Sequence, residues 1–287
     1  MPLTQPPFSW LRTTLLTCAA LIAFAGNSIL SRLALGQGLV DATTFSSVRL
    51  LFGAVALSLL LVLNGENKIL KGGNWQSAVA LFVYAIAFSL SYLSLTTATG
   101  ALILFGAVQV TMLLLALNAG ERPHSLQWLG LCIALSGLIY LLLPGVEAPS
   151  LTGAAFMGVA GIAWGQYSYL GRKSVAPLAQ TAGNFIRTVP MAVILNVFLI
   201  SEFHAEPSGI LLAATAGALT SGVGYVVWYA ALRRLASIQA AAVQLCVPII
   251  AAAGGVVFVS ETLSLRLMLA TLIVLGGIAL VLFGRER

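Results

Sequence analysis

Charge is scarce in this chain: Asp, Glu, Lys and Arg make up 8% of its 287 residues, against about a quarter in a soluble domain. Hydrophobic residues make up 60%, which excludes a water-exposed globule. Aspartate is nearly absent, Asp41 being the only one, so an intramembrane aspartyl protease lacks its second carboxylate. Histidine is almost as rare. His124 and His204 fall in expected loops on opposite faces, away from the depth at which a rhomboid-like Ser/His pair works. HExxH, GxSxG and a phosphate-binding glycine loop are all missing. Catalysis is therefore not expected, and neither is a cofactor. The three cysteines, Cys18, Cys132 and Cys246, lie in apolar runs without a CxxC, so neither a disulfide framework nor a metal site is implied.

What the chain has is apolar length. A helix needs about 20 apolar residues to cross about 30 Å of hydrocarbon. Ten such runs are predicted, at 11–35, 42–63, 75–96, 98–118, 126–143, 151–171, 177–201, 208–232, 235–258 and 265–283. The first run is too long for a signal-peptide core and reads as a retained span. With ten spans both termini share a side. That side holds ten basic residues, Arg12, Lys68, Lys71, Arg122, Arg172, Lys173, Arg233, Arg234, Arg285 and Arg287; the other holds Arg32 and Arg266. The bias predicts cytoplasmic termini. It also explains the net charge of +6 without a nucleic-acid partner; the partners expected are the lipid bilayer and a small-molecule solute.

The sequence repeats itself. Glu121 begins ERPHSLQWLGLCIALSGLIYLLL, and 140 residues later Glu261 begins ETLSLRLMLATLIVLGGIALVLF. Each carries a small-residue pair at the same distance, Ser136-Gly137 and Gly276-Gly277. Upstream, Tyr92 and Leu95 match Tyr229 and Leu232, and Arg49 with Ala54-Val55 matches Arg187 with Ala192-Val193. Three matches in order suggest two units of five spans, 11–143 and 151–283. An odd number of spans per unit inverts the second copy, an architecture of secondary transporters with a solute site between the repeats.

On these features the chain resembles the EamA-type drug/metabolite transporters, and among them the YddG-type aromatic amino acid exporters of bacterial inner membranes. The matching features are an Arg early in the second span of each repeat (Arg49, Arg187), the Tyr-x-x-Leu ending the third, and the Glu closing the fourth (Glu121, Glu261). Pro248 matches the family's proline; Val108 stands near the equivalent point of the first copy. The resemblance implies an all-α membrane protein of ten transmembrane helices in two inverted five-helix repeats. It also implies alternating access around a cavity framed by spans one, three, four, six, eight and nine. The residues expected to line that cavity are Asn27, Tyr84, Phe88, Gln109, Trp164, Tyr167, Trp228 and Gln244.

The residues also speak for themselves. Tyr84, Phe88 and Tyr92 share one face of the third span, and Tyr225, Trp228 and Tyr229 share one face of the eighth. Trp164 lies mid-span beside Gln166 and Tyr167, too deep for an interfacial belt. A cavity so lined suits aromatic or apolar solutes, although helix packing accounts for any one ring. Gln109, Gln244 and Asn184 serve equally as solute ligands or as glue between helices. Arg49 and Arg187 are the intramembrane charges. Arg49, about two turns into its span, reads mainly as snorkelling to an interface or bonding carbonyls, with solute binding or gating as the other reading. Arg187 leaves the two readings level. Pro190 and Pro248 interrupt spans seven and nine as hinges or tolerated kinks. No carboxylate falls within a span, so a proton relay is not expected. The reading is an amino acid exporter favouring aromatic and other apolar amino acids. Against it stand an exporter of drugs, sugars or nucleobases and a non-transporting structural subunit. The oligomeric state stays open, a monomer included.

Overall fold

The computed structural model describes residues 10–65, 72–120, 124–145, 148–171, 174, 176–199, 203–232, 235 and 243–283. Among these the protein is all-helical, apart from one isolated antiparallel bridge between Val40 and Ala205. In chain order the helices are α1 (Trp10–Gly36), α2 (Ala42–Leu63), α3 (Trp75–Tyr92), α4 (Thr97–Asn118), α5 (Ser125–Leu142), α6 (Leu151–Gly171) and α7 (Pro177–Phe198). Next come α8 (Pro207–Thr215), a π-helical segment (Ala216–Val223) and α9 (Gly224–Leu232) in one continuous run. Then follow α10 (Cys246–Val259) and α11 (Leu265–Phe283). Glu121, most of the basic residues counted for orientation (Lys68, Lys71, Arg122, Arg172, Lys173, Arg233, Arg234, Arg285 and Arg287) and 236–242 of the expected ninth span lie outside the described residues.

Eight stretches of the described residues are long and apolar enough to cross a membrane, α1 to α5, α7, the run Pro207–Ala231 and α11. The chain is thus a multi-pass membrane protein. α6 has the length, but Gln166, Tyr167 and Tyr169 crowd its second half; α10 has 14 residues. Large apolar side chains cover the outside, Phe198 at 79% and Leu272 at 72% exposure among them. Lipid tails solvate such a surface and water does not. The three cysteines are unpaired on this outer surface.

Inside, small residues bring backbones together, as helices do where lipid removes the hydrophobic drive to associate. Gly277 of α11 lies against the backbone of Gly130 and Ala134 in α5, and Gly161 of α6 against Leu104 and Ala107 of α4. α5 packs on α11 and α2 on α7. α6 is flanked by α3 and α4, and α1 by the π segment with α9 and by α10.

Side chains stitch the loops to the helices. Asn74 caps α3 by accepting from Ser77 N at 2.8 Å, while its own N–H donates to Asn184 Oδ1 at 2.9 Å. This seats Gly72 and Gly73 against α7, where a side chain on either would collide with its backbone. At the other end Asp41 caps α2, accepting from Thr43 N and Thr44 N, and receives the His204 N–H at 3.2 Å. Burial pushes its carboxyl up, the largest single influence. The hydrogen bonds of Thr43, Thr44 and His204 together outweigh it and hold the group below its ordinary value.

Candidate functional site

At the centre of the bundle is a cavity of about 30 Å³, room for about two waters. α1 contributes Phe24, Asn27 and Ser28, and α3 Tyr84 and Phe88; Leu104 and Phe105 come from α4 and Trp164 from α6. The remaining wall is Thr220 and Ser221 of the π segment, Tyr225 of α9, and Gln244 just ahead of α10. Trp164 is the hub of the rings. Its centroid lies 4.8 Å from Tyr84, 5.2 Å from Tyr225 and 5.4 Å from Tyr167, the last pair stacked. Phe88 continues the row from Tyr84 to Tyr92, because positions i, i+4 and i+8 of α3 fall on one face.

Two irregularities of the backbone place polar groups on this wall. The first is the π segment, a helix form rare in itself and frequent at functional sites. Its Gly217 meets the backbone of Arg49 so closely that a Cβ would collide. That contact brings Ser221 within 3.2 Å of Arg49 Nε, and Thr220 Oγ1 within 3.4 Å of Asn27 Oδ1. The second is the break before α10. Pro248 has no N–H to offer the carbonyl of Gln244 four residues back, and Leu245 forms a turn there. Gln244 is left at the interruption, on the cavity wall. Pro190 lies inside α7, which runs on through it.

Five of the eight residues expected to line a solute path are therefore together here: Asn27, Tyr84, Phe88, Trp164 and Gln244. Three are elsewhere. Tyr167 is buried behind Trp164. Trp228 is buried against Ala20, Ala231 and Phe24, its ring 5.7 Å from the Phe24 ring. Gln109, half-buried on α4 one turn beyond Phe105, does not line the cavity. Tyr225, from the aromatic face of the eighth span, joins the five, and Phe24, Ser28, Leu104, Phe105, Thr220 and Ser221 complete the wall without a mark of that role in the sequence. Large apolar side chains lie on both the buried and the exposed sides of α1 and α4, Leu21 and Leu102 inside and Ile22 and Leu114 outside, so the apolar pattern does not mark an inward face.

The arginines divide. Arg187 is half-buried and gives Nη1 to the carbonyls of Gly72 and Gly183, both at 2.7 Å, which is the carbonyl-bonding reading. Arg49 corrects the snorkelling reading. It is 2% exposed and reaches no interface, donating Nη2 to the Tyr84 hydroxyl at 3.1 Å and lying 5.0 Å from the Phe88 ring centroid. Counting residues from a span's end measures depth in the bilayer. It does not measure enclosure by α3, α7 and the π segment, which surround α2 here.

One turn beyond Ser28 and Phe88 stands the single ion pair of the described residues. Arg32 Nε donates to Glu261 Oε1 at 3.1 Å, and Arg32 Nη1 to the Tyr92 carbonyl at 3.0 Å. The Glu261 carboxylate also accepts the Thr97 N–H, at 2.9 and 3.0 Å. The Arg32–Glu261 pair thus joins the ends of α1, α3, α4 and α10. Ser260 makes this possible by adopting φ +57°, a left-handed turn uncommon outside glycine, that swings Glu261 back over α10. Gly255 leaves the room, since a Cβ there would sit 2.5 Å from Glu261 Oε2.

Known proteins are similar to this chain. An uncharacterized protein of Pseudomonas aeruginosa, PA1977, is 50% identical over 96% of this chain and 96% of its own length. The uncharacterized transporter YoaV of Bacillus subtilis is 23% identical over 85% of this chain and 88% of its own. A solved crystal structure superposes with a TM-score of 0.63 at 18% identity, over 92% of this chain and 98% of the other. The family model of EamA-like transporters matches residues 11–143 and again 151–283. With nearly its whole length covered by the two matches, the chain belongs to the EamA-like transporter family.

Proposed function

We propose that the protein is an inner-membrane exporter of amino acids, favouring aromatic and other apolar ones, that works by alternating access around the central cavity. The observation that carries this reading is the ring-lined wall built around Trp164. Aromatic faces offer apolar area and stacking to an aromatic solute, and the hydroxyl and amide groups of Asn27, Thr220, Ser221 and Gln244 orient its polar end. At about 30 Å³ the cavity is too small for such a solute, so this is the closed state of the cycle. The resemblance to YddG-type exporters points the same way.

The frame is proposed to be ten spans in two inverted repeats, 11–143 and 151–283, with α6 and α10 completing the set. The helix pairings favour it. Exchanging the repeats turns the packing of α3 on α6 into that of the π segment and α9 on α1, and α4 on α6 into α10 on α1. The α2–α7 and α5–α11 pairs map onto themselves. Both termini are then cytoplasmic, so reporter fusions at Gly145 and Arg287 should report opposite sides of the membrane. Matching signals would remove the ten-span frame.

The deciding experiment is counterflow in proteoliposomes with a panel of labelled amino acids, drugs, sugars and nucleobases. Tryptophan and phenylalanine should exchange fastest. Exchange of sugars or nucleobases alone would replace the amino acid reading, and no exchange of any solute would favour a structural subunit. No carboxylate lines the cavity among the described residues, so flux should run down a solute gradient without an imposed pH gradient. Uptake that appears only with a pH gradient would overturn this and point to Glu261 as the proton carrier.

A further inference from the structure

Arg49 is a charge in an unusual position. A cation at membrane depth is costly; backbone carbonyls can accept from it, but only a carboxylate cancels its charge. Among the described residues the one ion pair is Arg32 with Glu261, so Arg49 has no such match. Its Nε is used by Ser221 and its Nη2 by Tyr84, while Nη1 is sealed from water and makes no hydrogen bond. The other arginines show that this is particular to Arg49. Arg187 spends Nη1 on Gly72 and Gly183, and Arg266 directs Nη2 to the carbonyls of Tyr140 and Leu143. Guanidinium has only donors to give, so the group missing at Arg49 Nη1 is an acceptor, and the uncancelled charge asks that the acceptor be an anion.

The two side chains that hold Arg49 are themselves cavity wall. Ser221 and Tyr84 both line the cavity, and the Tyr84 hydroxyl is shared between Arg49 on one side and Asn27 Nδ2, at 3.2 Å, on the other. We infer that Arg49 is an anion-binding site, taking the carboxylate of the solute through Nη1 while the rings around Trp164 take its apolar body. A planar fork of donors suits a carboxylate better than a point cation does. Tyr84 is the ring that must turn as the cavity opens, because it touches both the guanidinium and the cavity. Its ring centroid is 5.2 Å from Arg49 Cζ. For the ammonium group of an amino acid the wall offers only neutral acceptors, among them Asn27, Gln244 and the hydroxyls. The carboxylate is then the required charge and the ammonium is dispensable. The ligand class is an apolar monocarboxylate, of which an aromatic amino acid is one case.

This inference deepens the export reading, and it is tested by binding as well as by flux. The melting temperature of the purified full-length protein is measured against matched probes, indole-3-propionate with tryptamine and propionate with propylamine. Each pair differs in the sign of its charge. The carboxylates should stabilise the protein and half-saturate at concentrations at least about ten-fold below those of the amines, in keeping with a charge-assisted pair. Arg49→Gln should abolish that preference, and Arg49→Lys should keep part of it. Amines binding as well as carboxylates to the wild type would overturn the inference. So would an Arg49→Gln protein that folds and still prefers carboxylates. Should Arg49→Gln fail to fold, the wild-type comparison and Arg49→Lys still decide. Carboxylate binding without amino acid flux in liposomes would leave the anion site standing and remove the export reading, so the two fail separately.

Discussion

Replacing Trp164 with Ala should lower tryptophan flux several-fold relative to threonine flux, whereas replacing Trp228 with Ala should leave that ratio unchanged. Both rings are buried or nearly so, and both stand on a face where the sequence places aromatic residues. The difference is what they touch. Trp164 meets Tyr84 and Tyr225 across the cavity. Trp228 packs on Phe24, Ala20 and Ala231 in a separate cluster. Removing a stacking partner from a solute costs about 1 kcal/mol or more beyond the lost area, which is several-fold in affinity for a ring-bearing solute. Threonine, which never fills that space, loses little. A large-to-Ala change in a packed cluster costs about 3–5 kcal/mol of stability, so Trp228→Ala should appear as a lower melting temperature with all fluxes reduced alike. Trp164→Phe, which keeps a ring, should restore most of the ratio. If Trp164→Ala leaves the ratio unchanged while lowering the melting temperature, the cavity rings are packing and the aromatic preference lies elsewhere.

Much of this frame is legible from apolar length alone. The expected run 42–63 is α2 residue for residue, and 126–143 differs from α5 by one at each end. Lipid makes this possible, since a span must satisfy its backbone within itself and stay apolar for its whole length. Departures occur where the backbone leaves that pattern. The run 208–232 is free of charge along its whole length, so nothing in its hydropathy marks the π turns from Ala216 to Val223. Yet these turns place Thr220 and Ser221 on the cavity. Gln109 and Gln244 read alike as buried amides, and only the break ahead of Pro248 distinguishes them by putting Gln244 on the wall. Glu261 escapes for another reason. It is a loop residue by position, and its side chain is only 8% exposed because Ser260 turns it inward. A span-by-span census of carboxylates misses a group that enters the membrane domain from a loop.

That turned-in carboxylate carries the other large expected effect. Glu261→Gln should increase access to the cavity from the side where α1 ends, by about ten-fold. The wild-type carboxylate bonds Arg32 and the first N–H of α4 together, one turn beyond Ser28. Gln keeps one acceptor for Thr97 but removes the charge that Arg32 pairs with. Breaking a fully buried pair costs about 3–5 kcal/mol. The Arg32 side chain is 21% exposed, and water there shields part of the loss, leaving on the order of 1–2 kcal/mol. If that energy belongs to the closed state and not to the open one, the open population rises by about ten-fold. The measurement is the labelling rate of Ser28→Cys by a membrane-impermeant thiol reagent, in a background without Cys18, Cys132 and Cys246. Ser28 is 2% exposed, so its modification reports opening. Arg32→Gln should have the same effect, and the double variant should add little to either, because both delete one interaction. If labelling stays slow in all three while the melting temperature falls, the pair holds the fold together and does not hold the cavity shut.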